Sequence, residues 1–228
     1  MLRQALARFS LPSVVFHLVF LLPLLLLLGD IAQGHLAADP VKEIIARTGK
    51  DAMIILLISL AATPVFIVTG FKPARKARKA LGLYAFFYTA IHVLVYAGAD
   101  FGWDWQLIWL DILERNAAKA GLAAFIILLA LAITSTKGWQ RRLKKNWVRL
   151  HKWVYASGVL VMLHYIWVQK VDIREPLLWT ALLFLLLSVR IPPIRRWFTS
   201  RRSRRGTMPV VGKPRVVGSE RVRVKSIS

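Results

Sequence analysis

Six runs of apolar residues, 11–29, 51–70, 80–99, 117–136, 147–167 and 176–193, dominate the chain. Each approaches the ~20 residues that a helix needs to cross a ~30 Å hydrocarbon layer. Inside that layer every backbone donor and acceptor must be paired within the segment, so uninterrupted runs of this length are read as helices. The expected fold is all-α: a polytopic membrane protein, a six-transmembrane-helix bundle over residues 1–198. Residues 199–228 are rich in arginine, then in Pro, Gly, Val and Ser. They are expected to form a basic cytoplasmic tail without a packed core. Hydrophobic residues reach 57% and mean hydropathy +0.52 because of the six runs, which sets the chain apart from soluble domains.

The first run follows Arg3 and Arg8. It is longer than the 7–15-residue core of a signal peptide and no A-x-A site follows it, so it is read as an uncleaved span. Thr63-Pro64 should kink the second run, because proline removes a backbone donor and crowds the preceding turn. Residues 30–50 read as a polar loop, and Pro192-Pro193 as the end of the sixth run. No internal repeat is visible. Neither G-x-G-x-x-G nor G-x-x-x-x-G-K-[ST] occurs, so no nucleotide-binding domain is expected.

The net charge of +22 is distributed unevenly. With six spans and both termini on one face, that face holds 26 of the 33 basic residues and a single acid of the 11, Glu220. The positive-inside rule then makes both termini cytoplasmic. The charge reflects topology and contact with anionic lipid of the bilayer, so nucleic acid is not an expected partner. Trp103, Trp105 and Trp109 on one side and Trp139, Trp147 and Trp197 on the other fit interfacial aromatic belts.

The chain has no cysteine. Disulfides, thiolate-ligated haem, C-x-x-C-H attachment and cysteine-bound iron–sulfur clusters are excluded, which leaves histidine as the ligand for a buried metal. Four of the five histidines, His17, His92, His151 and His164, lie in the apolar runs, where ionisable groups are costly and point to a site. His151 and His164 both fall in WVRLHKWVYASGVLVMLHYIW, residues 147–167. Thirteen residues separate them, roughly 20 Å along a helix. His92 lies past the middle of the third run, at a depth matching His164. A lone membrane histidine more often hydrogen-bonds across a bundle. A matched pair with a third nearby favours ligation, with His92 and His164 as axial ligands of a six-coordinate haem. On an ideal helix His151 and His164 point about 140° apart, so His151 either ligates a second haem or contacts another redox cofactor. No catalytic side chain is assigned. His17 and His35 read as a packed or interfacial residue and a loop residue.

These residues resemble the MsrQ family, formerly YedZ, within the ferric-reductase-like transmembrane group that includes the NADPH oxidases. The resemblance rests on Thr63-Pro64, Leu81-Gly82-Leu83 with Phe86-Phe87 and His92, Tyr96, Asp111-Ile112 and Thr134-Ser135-Thr136. It continues through Arg142-Leu143, Trp147, Leu150-His151, Tyr155, Leu163-His164, Trp167 and Glu175-Pro176. After Asp111 the family's Arg-Pro-Tyr is replaced by Arg115-Asn116-Ala117. The resemblance implies a haem b protein of the bacterial inner membrane that also binds FMN. It would pass electrons from membrane quinol, or from a cytosolic flavin reductase, to a periplasmic molybdenum-containing MsrP-type reductase that repairs methionine sulfoxide. Arg75, Lys76, Arg78 and Lys79 offer cations to a flavin phosphate, although topology alone accounts for them.

Two other readings compete. One is a stand-alone ferric or metal reductase with the same haem and a different acceptor. The other is a non-redox transporter or scaffold with histidine proton relays, which the absence of mid-span acids and of an inverted repeat disfavours.

Overall fold

The computed structural model describes residues 11–169 and 172–206, and the described residues contain helices and turns without strands. Four helical segments are long and apolar enough to cross a membrane: Val14–Gln33, Pro40–Thr69, Lys72–Asp100 and Asn116–Ile133. A fifth is the pair Arg174–Ser188 and Pro192–Arg201, bent by 72° between its halves. The expected count of six continuous spans is therefore not met by length and composition alone.

Helix α1, Leu11–Gln33, lies at the periphery with most of its apolar side chains exposed. Helix α2, Pro40–Thr69, begins eleven residues before the apolar run at 51 does. The Asp39 carboxylate accepts the Lys42 N–H at 3.1 Å, and Pro40 occupies the first turn where its missing N–H costs nothing. Lys42–Asp39 and Arg47–Glu43 ion pairs then keep residues 40–50 helical rather than looped. At its far end Gly70 takes φ 78° and donates its N–H to the Phe66 carbonyl, a left-handed cap suited to glycine.

Helix α3, Lys72–Val95, absorbs the basic cluster into its first two turns and widens into a π-helical turn at Tyr96–Asp100. The acidic connection that follows carries its own helix, α4, Trp105–Glu114, capped by Asp104. Helix α5, Asn116–Ile133, leads to two short helices at the basic end, α6, Lys137–Leu143, and α7, Lys145–His151. Helix α8 is Val154–Val168 and α9 is Arg174–Ser188. Helix α10, Pro192–Gly206, starts at the expected double proline and carries helix past residue 199; the rest of the proposed tail, 207–228, lies outside the described residues.

The fifth apolar run is thus not one helix. The N–H groups of Lys152, Trp153 and Tyr155 bond only three residues back, to Arg149, Leu150 and Lys152. This is a tight 3₁₀-like passage, which advances about 120° per residue rather than 100°. Over three or four residues it removes roughly 60–80° of the azimuthal offset between His151 and His164.

Helix α2 packs antiparallel on α3, and α5 on α8. The core they share with α9 contains Leu56, Leu60, Ala85, Tyr88, Leu128, Met162 and Leu183. Two polar groups repair helical defects in this core. Pro64 deprives the Leu60 carbonyl of its usual N–H partner four residues on. The Arg190 guanidinium, at the end of α9, donates to that carbonyl and to the Tyr155 hydroxyl. Tyr88, fully buried, donates its hydroxyl to the Phe20 carbonyl at 2.9 Å and accepts the Leu24 N–H at 3.2 Å. It thereby bridges one turn of α1 beside Pro23 and fastens that outer helix to the core.

Candidate functional site: a facing histidine pair

Helices α3 and α8 bring His92 and His164 together near the end of the bundle that carries the acidic connections. Their ring centres are 6.2 Å apart and their planes stand at 87°. Each ring is fixed from behind. His92 Nδ1 lies 2.9 Å from the Ile45 carbonyl on α2, and His164 Nδ1 lies 2.7 Å from the Ala117 carbonyl on α5. A carbonyl only accepts, so Nδ1 carries the proton in both rings and each neutral imidazole keeps a lone pair on Nε2. This is the arrangement in which a backbone carbonyl orients a metal-ligating histidine.

The separation also suits a shared metal. Two imidazoles on opposite sides of one ion need metal–nitrogen bonds of about 2 Å each, and a 6.2 Å distance between ring centres leaves that room. The pairing inferred from depth along the sequence is therefore realised in space, with the two side chains partly buried between the helices.

His151 stands apart from the pair. It packs face to face on Trp147 with ring centres 4.0 Å apart, and its Nδ1–H donates to the Trp147 carbonyl at 3.1 Å. Trp147 is held in turn by its Nε1–H, which donates to the Thr134 carbonyl at 2.9 Å. His151 Nε2 is buried and makes no hydrogen bond of normal geometry within the protein, and the Leu131 carbonyl also acts on the ring. The cations that act on it are Arg78 and Lys79, from the start of α3. His17 is held by the Tyr84 hydroxyl at 2.6 Å on the outer helix, and His35 lies in the connection after α1.

The acidic connections have structural duties as well as charge. Tyr96 donates its hydroxyl to Asp111 at 2.7 Å, and Arg115 pairs with the same carboxylate at 3.0 Å, which pins α4 between α3 and α5. Lys50 pairs with Glu175 at 2.7 Å, joining α2 to α9 at the same end.

The groups behind the two rings leave no mark in the hydropathy pattern. Ile45 and Gly49 belong to the stretch 30–50 expected as a loop, and Gly121 lies inside the apolar run 117–136. One signal was available: adding 72 to Ile45, Gly49, Ala52, Leu56 and His92 gives Ala117, Gly121, Ala124, Leu128 and His164. Four of these five pairs are identical residues, and Ala52, Leu56, Ala124 and Leu128 are all buried. The chain does contain a repeat, and it is a repeated helix hairpin, α2–α3 and α5–α8.

Comparisons with known proteins agree with this core. The family model described as "Ferric reductase like transmembrane component" matches residues 48–163, from within α2 to the residue before His164. The protein-methionine-sulfoxide reductase heme-binding subunit MsrQ of Xanthomonas euvesicatoria pv. vesicatoria is 44% identical over 185 residues, covering 78% of this chain and 85% of that one. MsrQ of Rhodospirillum rubrum is 41% identical over 191 residues, 83% of this chain and 92% of its own. MsrQ of Xanthomonas axonopodis pv. citri is 48% identical over 156 residues, 68% of this chain and 72% of its own. No solved structure matches the chain. With identity of this level over most of both sequences, the chain is a multi-pass membrane protein of the MsrQ family, within the ferric-reductase-like transmembrane group.

Proposed function

We propose that this chain is the haem b electron-transfer subunit of a protein-methionine-sulfoxide reductase system, with His92 and His164 as the axial ligands of its haem. The observation that carries the reading is the facing pair of imidazoles, each anchored through Nδ1 and each with Nε2 left for a metal. Among the described residues no three His, Asp or Glu side chains converge on one point. A two-histidine site suits an iron whose remaining ligands come from a macrocycle. Bound haem supplies a reversible one-electron couple. The protein's own contribution is to hold two neutral imidazoles rigidly, so that little moves when the charge on the metal changes.

The bundle crosses the inner membrane six times in this reading, with the broken segment Lys145–Val168 and the helix α9 as fifth and sixth spans. The basic end, with residues 72–79 and 137–152, faces the cytoplasm, and the acidic end with the histidine pair faces the periplasm. Electrons arrive from quinol, or from a cytosolic flavin reductase, and leave at the acidic end to a periplasmic molybdenum-containing reductase of the MsrP type. His151, with its buried Nε2, offers one ligand to a second, inner haem or one contact to a flavin or quinone. The position equivalent to it in the first hairpin is Lys79. An inner group would therefore meet one imidazole, with Lys79 and Arg78 opposite. The resemblance to the MsrQ family also implies a bound FMN.

A dithionite-reduced minus oxidised visible spectrum of the detergent-purified protein tests the reading, with haem and flavin quantified per chain. Sharp b-type bands at one or two haems per chain are expected. A featureless spectrum from folded protein, expressed with ample haem, would overturn it.

A further inference from the structure

We propose that Gly49 and Gly121 are positioning residues that, together with the carbonyls of Ile45 and Ala117, set the planes of the His92 and His164 rings and keep them perpendicular. This rests on the reading of the two histidines as haem ligands.

Each ring is held at two points on a single neighbouring helix. The carbonyl that accepts the Nδ1–H belongs to residue 45 or 117, and the glycine lies four residues on, one turn along the same face. A Cβ at Gly121 would stand 2.8 Å from His164 Nδ1 and 3.0 Å from its Cε1. A Cβ at Gly49 would stand 3.0 Å from both the Nδ1 and the Cε1 of His92. Carbon contacts settle at about 3.5–4.0 Å, so neither position accepts a methyl group with the ring where it is. The threatened edge is the one already bonded to the carbonyl. The ring cannot retreat without lengthening that bond, and its remaining freedom is to rotate.

Glycine is among the weakest helix formers, so two of them at equivalent places inside helices call for a local reason. Close helix packing alone would be one. Gly82 shows the contrast: it lies on α3, and a Cβ there would meet only Ser59 Oγ at an ordinary 3.6 Å. At Gly49 and Gly121 the nearest atoms are all imidazole atoms. The repeated hairpin thus supplies the same anchor twice, once for each ligand, and the 87° between ring planes is the geometry the two anchors jointly hold. The relative angle of two axial imidazoles sets the splitting of the iron d orbitals. That splitting is readable by electron paramagnetic resonance without any turnover.

The test is the low-temperature resonance spectrum of the oxidised haem-loaded protein, following the low-spin signal that His164→Ala abolishes. Wild type should give the strongly anisotropic signal of perpendicular imidazoles. G121A and G49A should each move the largest g value toward that of parallel rings and shift the midpoint potential, whereas G82A should change neither. Should an alanine variant fail to fold, the wild-type spectrum still decides, since a rhombic signal of parallel rings overturns the anchors. Haem-loaded G49A and G121A with spectra superimposable on wild type also overturn them, and leave the ligand assignment standing. Folded wild-type protein without haem overturns the ligand assignment itself and the anchors with it.

Discussion

His92 and His164 stand with their ring planes at 87° and ring centres 6.2 Å apart, although 72 residues separate them in the chain. Each is presented by the second helix of a hairpin and braced by the first. The relationship makes the site sensitive to either ring alone. His92→Ala and His164→Ala should each remove the haem that the pair holds, measured as reduced-minus-oxidised absorbance per chain. Wild-type haem content in both would refute the assignment.

His151 belongs to a different level of the bundle, stacked on Trp147 rather than on the pair. His151→Ala is therefore expected to leave the low-spin signal of the His92–His164 site in place, whatever it does to total haem. Disappearance of that signal in folded protein would show that the two levels are one site.

Arg190 and Pro64 are coupled through one carbonyl. Arg190→Leu leaves the Leu60 carbonyl without a partner and strips the Tyr155 hydroxyl of its donor. A loss of about 1–3 kcal/mol is expected for unsatisfied buried groups. With Pro64→Ala the backbone regains an N–H for Leu60, so Arg190→Leu should cost measurably less in that background. A thermal-unfolding double-mutant cycle in detergent measures the coupling, and strict additivity would contradict it.

Tyr88 ties the outer helix α1 to the core by a hydroxyl placed between the Phe20 carbonyl and the Leu24 N–H. Tyr88→Phe keeps the ring and removes that bridge. A loss of about 1 kcal/mol is expected, accompanied by faster proteolysis or exchange at α1. Unchanged protection of α1 would mean that the apolar contacts of Phe16 and Phe20 with Tyr84 suffice to hold it.

The absence of native cysteine makes orientation directly measurable. Gln106→Cys lies at the acidic end and Gly138→Cys at the basic end, both exposed. A membrane-impermeant thiol reagent should label the first in intact spheroplasts and the second only after lysis. The opposite pattern would invert the proposed topology.

Much of this protein is determined by its sequence. Apolar runs of about 20 residues leave the backbone no option in lipid but helix. Basic residues gathered at 72–79 and 137–152 fix which ends lie together, and a constant rise per residue turns position into depth. That is why His92 and His164 could be matched before any contact was known. Other features depend on what lies opposite. Residues 40–50 look like a loop because they are charged, yet cap and ion pairs at the helix start make them helical and bring Ile45 and Gly49 behind His92. The continuity of the fifth run hides the tight passage at 150–155, because hydropathy carries no information about hydrogen-bond register. Glycine in an apolar stretch reads as filler until a ring is seen to fill the space its missing side chain leaves. Depth is a property of one helix and is written along it. Facing, bracing and ring orientation belong to pairs of helices, and only their packing decides them.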